Sequence, residues 1–331
     1  LTNNLEHQKK QFYKFLRFDG EHPAYFIDNY DIYKNMSVFT FLRDIGKQIT
    51  VNYMMSKESV KNRLETGISF TEFSYQLIQG YDFLHLLTEE NCILQMGGGD
   101  QWGNITTGLE FIRKNGKKAF GLTTPLLTRA DGKKFGKSEV GNIWLDPNMT
   151  SPYKFYQFWL NLPDEDLPKL WRTFSLRSLE EIQAIEAEYQ AQPNEQKRLL
   201  AVEMTDFVHS EQARKAAEAA TQVAFHPKLQ KSFLESLSVD TFELLCQELP
   251  HFELAKADLA AGLNIVELLA EKTNILSSKS EARKAIKNNA IAVNSEKVQA
   301  DTLMVQADQL LHGQFLLVEN GKKNKYLLRG V

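Results

Sequence analysis

Thr71-Glu-Phe-Ser-Tyr75-Gln-Leu-Ile-Gln79-Gly-Tyr-Asp82-Phe-Leu-His-Leu-Leu-Thr-Glu-Glu-Asn-Cys92-Ile-Leu-Gln-Met96-Gly-Gly-Gly-Asp100-Gln101-Trp-Gly-Asn104 is the stretch around which the chain is organised. Thr71 followed by Glu72 has the form of a helix N-cap with an acid in the first turn. Phe73, Leu77, Leu84 and Leu87 then recur on one face, the side expected to be core. At roughly 100° per residue, Tyr75, Gln79 and Asp82 fall within about 60° of one another on the opposite side. A stripe of this kind is commonly a solvated face, but Ile78 and Leu86 border it and argue against open water. Cys92-Ile-Leu-Gln-Met96 is expected as a buried parallel strand. The glycines that follow place a bare turn and a helix N-terminus at the carboxyl end of that strand, where open α/β sheets bind nucleotides and other small ligands. Trp102 stands where G-x-G-x-x-G would need its third glycine, so an ordinary dinucleotide fingerprint is not supported.

The 331 residues suffice for two or three domains. With 43% hydrophobic and 24% charged residues the composition is that of an ordinary globular chain. No apolar run approaches the ~20 residues that cross a bilayer, so no membrane partner is expected. Cys92 and Cys246 lie far apart without C-x-x-C spacing, and a reducing cytoplasmic setting fits them. The net charge of −3 hides an asymmetry, because residues 264–331 carry 10 Lys/Arg against 7 Asp/Glu while residues 1–263 carry 29 against 35. A basic end on an acidic body allows contact with RNA.

Taken in order, residues 2–16 read as a helix, Asn29-Tyr-Asp-Ile-Tyr33 as irregular, and Ser37 as the cap of a helix carrying Phe39, Phe41, Leu42 and Ile45. Val51 to Met55 looks like a connector and Ser56 to Val60 like another capped helix. The aromatics and methionines of this region are either core or a self-associating surface. After the glycines come a helix to Lys114 and a strand over 119–124, broken by Pro125. The loop from Thr128 to Ser138 gathers Arg129, Lys133, Lys134 and Lys137 with Gly132 and Gly136. Such a loop is either a solvated basic turn or one that closes over a polyphosphate; P-loop spacing is absent. From Ser151-Pro152, an N-cap with proline at the first helical position, helices are expected near 164–174, 178–190 and 194–222, with Lys197, Arg198, Arg214 and Lys215 on solvated faces. Residues 226–263 read as a linker with one or two short helices. Residues 264–331 read as a small α+β domain, with helices at 265–269 and 278–288, a strand at 290–294 and a hairpin turning at Asn320-Gly321.

Lys134-Phe-Gly-Lys-Ser138 resembles the K-M-S-K-S loop of class I aminoacyl-tRNA synthetases. Ser74-Tyr-Gln-Leu-Ile-Gln-Gly-Tyr-Asp82 and Gly97-Gly-Gly-Asp-Gln-Trp-Gly-Asn104 resemble the bacterial tyrosyl-tRNA synthetase family in particular. Phe41-Leu-Arg-Asp44, Val51-Asn-Tyr-Met-Met55 and Ser151-Pro-Tyr-Lys-Phe-Tyr-Gln-Phe-Trp159 extend the likeness, and Ser280-Glu-Ala-Arg-Lys-Ala-Ile-Lys287 with the strand after it resembles an S4 RNA-binding domain. The resemblance implies an α/β Rossmann-like catalytic domain over 1–150, incomplete at its amino terminus, an α-helical anticodon-side domain over 151–225, the linker, and an S4-like domain over 264–331. It implies a tyrosine–tRNA ligase with L-tyrosine, ATP and tRNA(Tyr) as substrates, Mg2+ accompanying ATP, and a homodimer formed through residues around 37–70.

By the same resemblance, Asp82 would accept the phenolic hydrogen of tyrosine and so reject phenylalanine, a discrimination for which this family is itself the standing example. Tyr75 and Gln79 would orient the α-ammonium, and Gln101 would lie near the carboxylate. Gly98 and Asp100 would hold the ATP ribose, and the Leu126–Leu127 backbone would border adenine. Lys134, Lys137 and Ser138 would grip pyrophosphate, and Arg283, Lys284 and Lys287 would meet RNA phosphates. One departure is that none of the seven histidines forms the family's His-x-Gly-His. With Leu1 in first position, the expectation is that the amino-terminal half of the nucleotide fold lies outside this sequence, and that these residues alone do not activate tyrosine while the parent protein does. Alternatives are a tryptophanyl-tRNA synthetase, against which Asp82 and the S4-like tail speak, and a non-catalytic RNA-binding descendant, against which Lys134, Lys137, Asp82 and Asp100 speak.

Overall fold

A computed structural model describes residues 2–63, 65–130, 132, 135–138 and 141–331, with the backbone alone at Lys137 and Ser138. The chain divides into two compact units, Leu1–Phe135 and Gly136–Val331.

The first unit opens with α1 (Thr2–Phe15). Asn29–Tyr33, expected to be irregular, form the short helix α2, because Asp28 at its N-cap accepts from the Tyr30 N–H at 2.9 Å. α3 (Val38–Thr40) is capped by Ser37 as expected and runs on into a π turn over Phe41–Ile45, of which only Ile45 is buried. The segment read as a connector is a helix, α4 (Val51–Met55), capped by Thr50, and α5 (Glu58–Lys61) starts two residues beyond Ser56. α6 (Phe70–Glu90) is capped by Ser69 rather than Thr71. The Ser69 hydroxyl accepts from the Glu72 N–H while the Glu72 carboxylate accepts from the Ser69 N–H, each at 3.2 Å, so Glu72 completes a capping box.

β1 (Leu94–Gly98), α7 (Trp102–Lys114) and β2 (Phe120–Thr124) follow, and the strands pair in parallel with Leu94 opposite Phe120 and Gly98 opposite Thr124. α6 and α7 lie so close that a Cβ on Gly80 would stand 3.0 Å from the Phe111 ring. Leu77, Phe83, Leu84, Phe111 and Ile112 form the core there with Ile45, Ile49 and Met54. β1 corrects the expectation of a buried strand: Leu94, Met96, Phe120 and Leu122 are 43% to 62% exposed. The sheet has two strands and α7 lies on one face, where a Cβ at Gly121 would meet Ile105; the alternate side chains point the other way.

In the second unit β3 (Lys137–Ser138) and β4 (Gly141–Asn142) pair antiparallel. The helices are α8 (Pro152–Leu160), capped by Ser151, then α9 (Leu167–Phe174), α10 (Leu179–Glu188), α11 (Pro193–Val208) and α12 (Glu211–Phe225). The single helix expected over 194–222 is therefore two, because the Ser210 hydroxyl takes the Ala213 N–H at 3.1 Å and starts a new one. Residues 226–263 hold α13 (Lys231–Ser236), α14 (Val239–Glu248), β5 (His251–Leu254) and α15 (Lys256–Ala261).

Then come β6 (Leu263–Asn264), α16 (Ile265–Glu267), α17 (Lys279–Lys287), β7 (Ile291–Val293), β8 (Glu296–Lys297), β9 (Met304–Val305), β10 (Phe315–Asn320) and β11 (Asn324–Gly330). The main sheet has the order β5-β11-β10-β7-β8, with β5 parallel to β11 and the β10–β11 hairpin turning at Gly321, φ 73°. One face of β10 and β11 gives Leu316, Val318 and Leu328 to a core shared with Leu268 and Ile286. On the other face Phe315, Leu317 and Glu319 stand opposite Arg329, Leu327 and Lys325. That face meets α12 and α14. Phe242 stacks on Phe315 at 5.1 Å, Arg329 donates to Glu243 at 2.7 and 3.2 Å, and the Lys325 ammonium donates to the carbonyls of Val223 and His226 at 2.6 and 2.7 Å. Burial pulls the Lys325 pKa below its ordinary value, opposed by Glu319 at 3.6 Å.

Candidate functional site

The polar stripe on α6 changes character along its length. Tyr75 is 53% exposed, Gln79 is half-buried and Asp82 is only 6% exposed. Asp82 is held by two residues of α2, with Asn29 Nδ2 donating to Oδ2 at 2.5 Å and Tyr33 Oη to Oδ1 at 2.7 Å. Tyr33 Oη also lies 2.8 Å from the Ile78 carbonyl, one turn earlier on α6. Burial raises the Asp82 pKa above the usual carboxylate range; the bonds from Tyr33 and Asn29, and the charge of His85, work against that rise. Tyr33 is itself pushed far up, first by burial and then by Asp82. Asn29 and Tyr33 were not among the expected site residues.

The glycine turn carries a second polar chain. β1 ends at Gly98, a 3-10 turn covers Gly99–Gln101, and α7 starts at Trp102. A side chain at Gly98 would displace the Asp100 carboxylate: its Cβ would lie 2.6 Å from Asp100 Oδ1 and 3.3 Å from Leu126. Asn104 Nδ2 donates to Gln79 Oε1 at 2.9 Å and lies 3.3 Å from Gln101 Oε1, while Gln101 Nε2 donates to Asp100 Oδ2 at 3.0 Å. Hydrogen bonds thus join Gln79, Gln101 and Asp100, three of the expected residues, through Asn104, which sequence reasoning did not single out. Its signal was local, since it stands one turn beyond Gln101 on the same helix start.

Leu127 is half-buried and its carbonyl accepts from the Phe135 N–H at 3.2 Å. Lys134 lies outside the described residues; Lys137 and Ser138 contribute their backbone to β3. On α17, Ala282 and Ile286 are buried while Arg283, Lys284 and Lys287 are exposed, with Arg283 paired to Asp301 at 3.5 Å. Around the suggested self-association region Val38, Phe39, Leu42, Val51 and Phe70 are 54% to 84% exposed. Among the described residues no cluster of three His, Cys, Asp or Glu side chains could hold a metal ion, and no helix is long and apolar enough to cross a membrane.

Residues 1–226 match the family model of class I tRNA synthetases (W and Y), and residues 241–328 match that of a tyrosine–tRNA ligase SYY-like C-terminal domain. The chain is 50% identical to the tyrosine–tRNA ligase of Parabacteroides distasonis over 99% of its own length and 78% of that protein's. It is 48% identical to that of Bacteroides thetaiotaomicron with the same coverage. Among solved structures it resembles a C-terminally truncated mitochondrial tyrosyl-tRNA synthetase of Coccidioides posadasii, with 25% identity, a TM-score of 0.52, and 63% of this chain and 64% of that one covered. The corresponding enzyme of Aspergillus nidulans gives 29% identity, a TM-score of 0.51 and coverage of 60% and 57%.

Proposed function

The chain belongs to the class I tRNA synthetases, in the tyrosyl-tRNA synthetase family, and from that premise we propose that it acts as a tyrosine–tRNA ligase. A carboxylate oxygen of L-tyrosine attacks the α-phosphate of ATP, the bond to the β-phosphate breaks, and pyrophosphate leaves. The adenylate then passes its tyrosyl group to a terminal ribose hydroxyl of tRNA(Tyr) with release of AMP. No side chain serves as nucleophile, so the chain's work is positioning and electrostatics.

In this reading Asp82 accepts the phenolic hydrogen, Tyr75 and Gln79 orient the ammonium, and Gln101 stands near the carboxylate. Gly98 and Asp100 take the ribose and the Leu127 backbone borders adenine. Lys134, Lys137 and Ser138 grip the departing pyrophosphate. Mg2+ would accompany the phosphates of ATP, where it would neutralise part of their charge. Arg283, Lys284 and Lys287 face the tRNA backbone, the exposed aliphatic and aromatic side chains around 37–70 join two subunits, and the protein works in the cytoplasm.

The observation that supports this reading best is the buried Asp82, a pre-oriented acceptor with one position open on each oxygen, which a ligand without a hydroxyl would leave unfilled. The test is tyrosine-dependent ATP–pyrophosphate exchange in the complete protein and in its Asp82→Ala variant. Loss of an interaction with a charged acceptor should lower kcat/KM for tyrosine by at least about tenfold. Unchanged tyrosine use would remove Asp82 from the role.

A further inference from the structure

Asn29 and Tyr33 stand four residues apart, on one face of α2. Both reach a carboxylate that lies 53 and 49 residues further along the chain. Asn29 holds Oδ2 and Tyr33 holds Oδ1, so each oxygen of Asp82 already accepts one hydrogen bond. An ionised carboxylate has about four acceptor positions, which leaves one on each oxygen. Rotating the carboxylate would break both bonds at once, so its plane is set before any ligand arrives. In this clip the single Tyr33 hydroxyl hydrogen also has the Ile78 carbonyl of α6 within reach at 2.8 Å, so the two acceptors share it. Asp82 thus already accepts a phenol, the chemical group it is proposed to select.

We infer that Tyr33 is a positioning residue for tyrosine recognition, fixing the Asp82 carboxylate so that a vacant acceptor position meets the phenol of the incoming amino acid. This rests on the reading of Asp82 as the phenol acceptor. The titratable groups around Asp82 are Tyr33 on α2 and His85 on α6, with Tyr81 acting on Tyr33. The bond from Tyr33 favours the ionised form of Asp82 against burial, and removing it should move the Asp82 titration to higher pH.

Tyr33→Phe keeps the ring and removes only the oxygen. In the complete protein it should raise KM for tyrosine about tenfold, a size usual for losing a bond to a charged partner. The exchange kcat and the KM for ATP should stay within twofold, and use of phenylalanine should not change, so selectivity falls with tyrosine affinity. The acid limb of kcat/KM for tyrosine should shift upward. The inference is overturned if KM for tyrosine stays within twofold of the parent, or if KM for ATP rises alongside it. If the parent protein shows no tyrosine-dependent exchange, the ligase reading fails by itself. The carboxyl NMR titration of Asp82 then decides the matter for Tyr33: an upward shift in Tyr33→Phe upholds the clip, and an unmoved titration removes it.

Discussion

Asp82 is expensive to keep as an anion, since it lies almost wholly out of water and burial lifts its pKa. A carboxyl whose folded pKa is raised contributes stability that is fully present below its unfolded value of about 4 and is lost as pH rises through the folded pKa. Asp82→Asn removes that loss. The variant should unfold at a higher temperature than the parent at pH 7, and the difference should vanish as pH falls toward the ordinary carboxylate range, a comparison calorimetry can make. Gain in stability with loss of tyrosine use would mark Asp82 as a residue retained for what it binds. Asp82 was legible in the sequence because helical periodicity is local and sets it beside Gln79. Asn29 and Tyr33 were not, because nothing in a five-residue polar-aromatic segment announces a contact made 53 and 49 residues away.

At the scale of elements, the informative strands are β10 and β11. Phe315-Leu-Leu-Val318 is a continuous apolar run rather than an alternating one, the pattern of a strand covered on both faces. One face is the core of the C-terminal domain; the other rests on α12 and α14. Lys325 is the polar fastening of that second face, its side chain 1% exposed and its ammonium on two carbonyls at the end of α12. Lys325→Met would leave Glu319 buried without its cation. It should cost roughly 3 kcal/mol in denaturant unfolding, the size usual for breaking a buried pair. The hairpin is legible in the sequence, whereas residues 226–263 read as a linker with one or two short helices, because the pairing of β5 with β11 joins segments 76 residues apart at Leu327 and His251. Helix ends were misplaced for a local reason: Ser69 and Thr71 both suit a cap, and only the reciprocal bond of Glu72 chooses between them.

For the whole molecule, charge is divided as the sequence alone suggested, with the basic residues Arg283, Lys284 and Lys287 on the exposed side of α17. Replacing these three with alanine should weaken tRNA binding at low salt and reduce the slope of log affinity against log salt by about one per cation that contacts phosphate. Filter binding across a salt series would read both, and an unchanged slope would exclude them. The family was legible because three separate motifs occur in order and each is short and contiguous. What no contiguous motif could carry was the second layer, the residues that hold the motif residues still. That layer has its own place in time. Asn29 leaves the ribosome 53 residues before Asp82, so α2 must wait, uncommitted, while α6 is still being made. Closing a ring of that length carries an entropic cost that the clip meets when it forms. The acceptor proposed to tell apart two amino acids that differ by one oxygen is thus set only once both α2 and α6 exist.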